Sequence, residues 1–359
     1  MLKAKLSKDL HFIRGCAIFL VVIGHVIGKW PESGILQLYN SDIFILSTFY
    51  QFIYTFHVSL FFTVSGIAFS AFSNADSTWR RFITSRFKRL FIPLICWAPV
   101  TFILRSFTKE THFSSIWDVI NRSVIHSFFI FWFFHALIFA SLLSFLFLKF
   151  FKSSSMYLYL SITLTSIIFY INLIHPFPIL RDLLVYYLYG NLFYAFGLFL
   201  AHNLEKIRSI LDGLLPRIIL LLMLICLILM VSAFCMIRKE PSFLISFLVS
   251  IFNGVLASSF LYIALNKSYI LPLASRLEKF AKAFQEAIVY LGKTSMPIYL
   301  FHVHFGAITR ISLVKFIHIK SPSLHLIVGV IVATIGPIIL YEILKPRSRI
   351  FAYSIGESK

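Results

Sequence analysis

Arg14 and His25 stand at positions i and i+11 of the apolar run Phe12-Ile-Arg-Gly-Cys-Ala-Ile-Phe-Leu-Val-Val-Ile-Gly-His-Val26. Eleven residues at about 100° each bring both side chains to one face of a helix, about 16 Å apart along its axis. Ionisable groups are costly in lipid, and where they occur inside an apolar segment they mark a functional site facing protein or a polar cavity. The pair supplies a guanidinium suited to phosphate at one end and an imidazole suited to proton transfer at the other.

Three more histidines, His57, His135 and His302, lie within other apolar runs and are candidates to line a cavity with His25. An imidazole withdrawn from water without a carboxylate partner stays neutral and can accept a proton as a general base. The same side chains also suit helix–helix hydrogen bonds, the structural alternative for any one of them. A four-histidine metal site would lack Asp, Glu or Cys at ligand spacing on the same helices. Arg86 and Arg89, three apart in Arg86-Phe-Lys-Arg-Leu-Phe-Ile-Pro93, form a second concentration of positive charge, read either as a phosphate dock or as ordinary loop charge. Ser295, Tyr299 and His302 recur at i, i+4 and i+7, one polar stripe on an apolar helix. Ser65 and Gly66, eight and nine residues after His57, suit either the site or close helix packing.

These residues need a scaffold. A chain of 359 residues that is 59% hydrophobic and 13% charged, with mean hydropathy +0.88, is outside the range of soluble domains. The expected fold is an all-α polytopic membrane protein, a bundle of about ten transmembrane helices. The spans fall near residues 11–28, 48–72, 90–107, 128–148, 156–175, 183–201, 217–237, 242–265, 294–314 and 324–344. The basic N-terminus lacks a small-residue cleavage site and reads as a retained first span. The formal charge of +19 concentrates in alternate loops, including Arg80–Arg89 and the 345–349 tail, which puts both termini in the cytoplasm and makes nucleic acid an unnecessary partner. Cys16, Cys96, Cys226 and Cys235 all fall within spans, without metal-knuckle spacing. The segment Arg276–Glu286 has helical apolar spacing beside Lys and Glu and is expected to be an amphipathic interfacial helix. No repeat and no stretch long enough for a soluble domain is present, so residues 1–359 are read as one transmembrane domain.

Together the segments resemble the acyltransferase-3 family of integral-membrane O-acyltransferases. Arg14 and His25 match its Arg-x10-His signature, Phe61–Gly66 resembles its Phe-Phe-x-x-Ser-Gly segment, and Arg86-x-x-Arg-Leu-x-x-Pro93 is similar to its basic motif. Phe131-Trp-Phe-Phe-His-Ala-Leu137 resembles its Trp-Phe segment, Gly292-Lys-Thr-Ser-x-x-Ile-Tyr-Leu-x-His302 its late Ser, Tyr and His pattern, and Glu342-x-x-x-Pro346 its closing acidic-proline element. Tyr54-Thr-Phe-His57 is most similar to the branch that includes fucose 4-O-acetylase-like proteins. The resemblance implies transfer of an acyl group, commonly acetyl, from cytoplasmic acetyl-CoA or another acyl-CoA to a hydroxyl of an envelope glycan or lipid-linked sugar, in the bacterial inner membrane. It assigns His25 as base or acyl relay, Arg14, Arg86 and Arg89 to the CoA phosphates, and Tyr299, His302, His57 and Ser65 to supporting roles, with no tightly bound cofactor or metal. A transporter or flippase of lipid-linked saccharide is the competing reading; it would not need the Arg-x10-His pair together with an inner arginine cluster.

Overall fold

The computed structural model describes residues 2–28, 34–38, 44–72, 78–107, 114–126, 129–203, 206, 243–266, 275–319 and 321–357, and among these it is helical with no strand. Seven helices among the described residues are long and apolar enough to cross a membrane: Leu6–Ile27, Phe44–Phe72, Trp79–Ser106, Trp132–Phe151, Ser154–Ile174, Pro178–His202 and Pro322–Arg347. Two more expected spans coincide with helices Phe243–Asn266 and Ser295–Ile311. The second of these is short and carries Tyr299, His302, His304 and Arg310, which lower its hydropathy. The expected span 217–237 lies outside the described residues. The chain divides into two compact units, one of residues Met1–Ala71 and Phe193–Ile335, the other of Phe72–Leu192 and Gly336–Lys359.

The first unit is organised on the helix Leu2–Ile27, which continues through the basic N-terminus into the Arg14–His25 run without a break. Ala17, Phe56, Leu60 and Ala257 form one buried cluster, and Leu10, Ile13, Val64, Ile67 and Leu200 another. The helix Ser275–Lys293 contains the expected amphipathic segment, and Lys279, Lys282 and Glu286 are exposed on it. Its last turns depart from an interfacial helix, because Ile288 and Val289 are buried. A β carbon on Gly15 would run into the Ile288 carbonyl, and one on Gly292 into the His11 backbone. Two glycines facing opposite ways thus let the helices touch backbone to backbone, the small-residue packing that apolar spans use where lipid removes the hydrophobic drive for association.

In the second unit the predicted basic loop is itself helical. The helix Trp79–Arg86 runs into a π-helical turn at Phe87–Phe91 and on through Ile92–Ser106, so the span starts well before residue 90. The Ile92 N–H bonds to the Phe87 carbonyl, the i→i+5 pattern of a widened turn. The helix Ser154–Ile174 is turned inside out: its buried residues are Ser154, Tyr157, Ser161, Thr165 and Asn172, whereas Leu160, Ile162, Leu164, Ile167 and Ile171 are exposed. Tyr157 donates to Asn191 Oδ1 at 2.5 Å and Asn191 Nδ2 donates to Ser161 Oγ at 3.0 Å, so polar contacts hold the inner face and aliphatic side chains are left for lipid.

Gly15→Val and Gly292→Val should each destabilise the protein by about 1–3 kcal/mol through overpacking. Lys279→Ala, on the exposed side of the same helix, should stay within about 0.5 kcal/mol. Thermal unfolding in detergent compares them; equal losses at both kinds of position would rule out the backbone contact.

Candidate functional site

Histidine placement follows one local rule. The Nδ1 of His57 lies 2.7 Å from the Ile53 carbonyl, that of His135 3.2 Å from Phe131, that of His202 3.0 Å from Leu198, and that of His302 2.9 Å from Ile298. Each acceptor is four residues back on the same chain. A carbonyl oxygen can only accept, so in His57, His202 and His302 the hydrogen sits on Nδ1, and Nε2 carries the lone pair. What surrounds Nε2 then separates one histidine from another.

His302 Nδ1 is committed twice, to the Ile298 and Tyr299 carbonyls, each at 2.9 Å. Its Nε2 is buried with no hydrogen-bond partner among the described residues. The His302 ring is 1% exposed and lies 4.9 Å from the ring of His25, edge to face at 65°. His25 occupies the last turn of the first helix and is half-buried. Tyr54 stands 6.4 Å from His25 and in turn lies 4.8 Å from His57. Tyr299 is 6.2 Å from His302 and half-buried. The first unit therefore gathers His25, His57, Tyr299 and His302 into one cluster of rings. Arg14 is on the same helix as His25, half-buried, three turns toward its N-terminal end.

A helix break builds the Tyr54–His57 edge. The helix Phe44–Tyr54 stops, Thr55 and Phe56 turn, and His57 opens the helix that runs to Phe72. Thr55 Oγ1 donates to the Phe52 carbonyl at 2.7 Å and Ser59 Oγ to the Phe56 carbonyl at 2.6 Å, while the His57 ring takes the Ile53 carbonyl. The same three carbonyls also accept backbone N–H groups, from Thr55, Phe56 and Leu60, so the side chains add a second bond to each acceptor at the break. Asn253 Nδ2 ties the break to a neighbouring helix by donating to Thr55 Oγ1 at 3.0 Å.

His135 differs. Its Nε2 is 2.7 Å from the Val124 carbonyl, so both ring nitrogens face backbone oxygens and the ring pins two segments of the second unit together. Gly66 is explained by packing, since a β carbon there would meet the Tyr194 carbonyl, and Ser65 beside it is half-buried. Arg86 and Arg89 diverge across the widened turn: the Arg86 guanidinium lies 5.5 Å over the Phe82 ring, whereas Arg89 is exposed and lines a cavity of the second unit. In the sequence Tyr54 stood out only as part of the Tyr54–His57 motif, with no role of its own. Its signal was available, because Tyr54-x-x-His57 repeats the spacing of Tyr299-x-x-His302, and a ring from each pair lies near His25. No group of three metal-ligating side chains able to hold an ion occurs among the described residues.

A family model described as an acyltransferase domain, that of the acyltransferase-3 family, matches residues 7–342. The chain belongs to that family. Two shorter similarities accompany it. Ninety residues are 33% identical to nodulation protein NolL of Sinorhizobium fredii, covering 25% of this chain and 22% of the relative. Over 102 residues the chain is 29% identical to nodulation protein NolL of Mesorhizobium japonicum, covering 28% of this chain and 26% of the relative. The aligned part thus spans about a quarter of the length of these curated relatives. No solved structure matches the chain. The match takes in the ring cluster, the Arg86–Pro93 segment and Glu342, so the residues gathered in the first unit lie in an acyltransferase domain built of membrane-type helices.

His135→Phe should lower stability by about 1 kcal/mol, the cost of losing the ring's bond to the part-buried Val124 carbonyl. Thermal unfolding measures it, and a variant as stable as the wild type would remove the pinning role.

Proposed function

We propose that the protein is a membrane O-acyltransferase that moves an acyl group, most simply acetyl, from acyl-CoA to a hydroxyl of an envelope glycan or lipid-linked sugar. The observation that carries this reading is the pairing of His25 with His302, whose Nδ1–H is spent on two carbonyls and whose buried Nε2 keeps its lone pair. In this reading an N–H of His25 is donated to that lone pair. The other nitrogen of His25 is then the acceptor for a substrate proton.

In this reading His25 takes the proton of the acceptor hydroxyl as its oxygen attacks the thioester carbonyl. A C–O bond forms, the C–S bond breaks through a tetrahedral oxyanion, and the proton passes from the imidazole to the departing sulfur of CoA. His302 holds the tautomer of His25 and steadies the imidazolium that forms. Tyr299 and His57 complete the ring cluster, and Ser65 is a further polar group on the His57 helix. Arg14, Arg86 and Arg89 are assigned to the donor phosphates, with the basic side and both termini cytoplasmic in the bacterial inner membrane. A saccharide flippase would not need a committed tautomer beside a second imidazole.

His25→Ala should abolish O-acylation while the protein remains folded in the membrane, and His302→Ala should lower kcat by about 10²–10⁴-fold, the range for losing acid–base assistance. Arg89→Ala should mainly raise the apparent KM for donor. The readout is ester-linked acyl groups on envelope glycans, by mass spectrometry, from cells expressing each variant; full modification by His25→Ala would sink the assigned base.

A further inference from the structure

The second unit contains a cavity of about 460 Å³ supplied by two chain segments. Arg80, Arg81, Lys88 and Arg89 come from the Trp79–Phe91 stretch, Tyr353 comes from the helix Arg349–Ser354, and Gly356 and Glu357 come from the turn that follows it. None of the four cations forms an ion pair among the described residues. The one carboxylate in the wall is already taken. Glu357 Oε2 lies 2.6 Å from Lys345 Nζ, and the Tyr341 hydroxyl reaches the two Glu357 oxygens at 3.0 and 3.2 Å. Glu357 therefore anchors the turn, and its charge is balanced by Lys345 rather than by the arginines.

The turn is fitted to the π-helical segment. Gly356 has φ +81°, and a β carbon there would come within 2.9 Å of the Lys88 carbonyl and 3.0 Å of Arg89 Cα. Only glycine combines that conformation with that approach. The result is a pocket with four uncompensated cations and an aromatic ring, Tyr353, that is 49% exposed. Its volume is in the range of small-molecule sites, which is larger than one inorganic phosphate fills. Guanidinium forks recognise phosphate oxygens in pairs, and a ring of this kind offers a flat apolar face to a base.

We propose that this cavity seats the nucleotide end of the acyl donor, an adenosine carrying a 3′-phosphate and a 5′-diphosphate, with Arg80, Arg81 and Lys88 on the phosphates and Tyr353 against the base. The proposal rests on the acyl-CoA reading above and extends the donor site to residues outside the Arg86/Arg89 motif. A lipid headgroup offers the same phosphate chemistry without the base, and the experiment separates the two.

Binding is measured on the purified full-length protein in detergent, with acetyl-CoA and adenosine 3′,5′-bisphosphate as probes. Both should bind the wild type and compete with each other. Arg81→Ala and Tyr353→Ala should weaken each probe about tenfold, while Tyr353→Phe, which keeps the ring, should bind like the wild type. Both positions are exposed, so the variants should fold. Acetyl-CoA binding that is unchanged in Arg81→Ala and Tyr353→Ala overturns the proposal and leaves the donor reading standing. A wild type that binds no acetyl-CoA defeats the donor reading itself. Variants that bind adenosine 3′,5′-bisphosphate normally but lose affinity for phosphatidylglycerol in nanodiscs make the cavity a headgroup site and also overturn the proposal.

Discussion

An imidazole inside an apolar helical bundle has to satisfy its N–H, and in this chain the nearest acceptor is the carbonyl one turn back on its own helix. His57, His135, His202 and His302 all point Nδ1 there. The bond costs little, since a helical carbonyl has a second lone pair to give. Its consequence is large, because it leaves the character of each histidine to whatever meets Nε2. Val124 makes His135 a structural pin, and the absence of any described acceptor or donor at His302 Nε2 keeps a lone pair ready beside His25. The ring cluster and the helix break that presents His57 are arrangements around that choice.

Much of the scaffold could be read from the chain because lipid imposes a simple code. Long apolar runs become helices, and the runs around Trp132–Phe151, Ser154–Ile174 and Pro322–Arg347 ended within a few residues of their expected limits. The Arg80–Arg89 stretch misled because charge density was taken for loop, whereas Arg and Lys are good helix formers and the Thr78 side chain caps the first turn. Ser275–Lys293 misled in the opposite sense: its amphipathic first half hid the glycine-based contact of its second half, which depends on which backbone lies opposite. Such contacts are long-range and leave no period in the sequence.

The site was half legible. Arg14 and His25 announced themselves by being ionisable among aliphatics, and Ser295, Tyr299 and His302 by sharing one helical face. The pairing of His302 with His25 could not be read, since it requires two helices distant in sequence to cross at one level. Tyr54 was given no role although Tyr54-x-x-His57 repeats the spacing of Tyr299-x-x-His302, because a helix break follows it and the approach of its ring to His25 is a long-range contact. Arg86 and Arg89, three apart, would share a face of an α-helix, but the widened turn that begins at Phe87 separates them.

The inside-out helix Ser154–Ile174 bears on how the protein is made. Its outward aliphatics favour entry into lipid as a single segment, before any partner is present. Tyr157, Ser161 and Asn191 acquire their bonds only afterwards, within the bilayer. Insertion and assembly are therefore separate events for this element, governed by different side chains. A chain that has crossed the membrane correctly can still be unassembled, and the cell's quality-control machinery would have to recognise it by exposed hydroxyl and amide groups in lipid rather than by exposed hydrophobic surface.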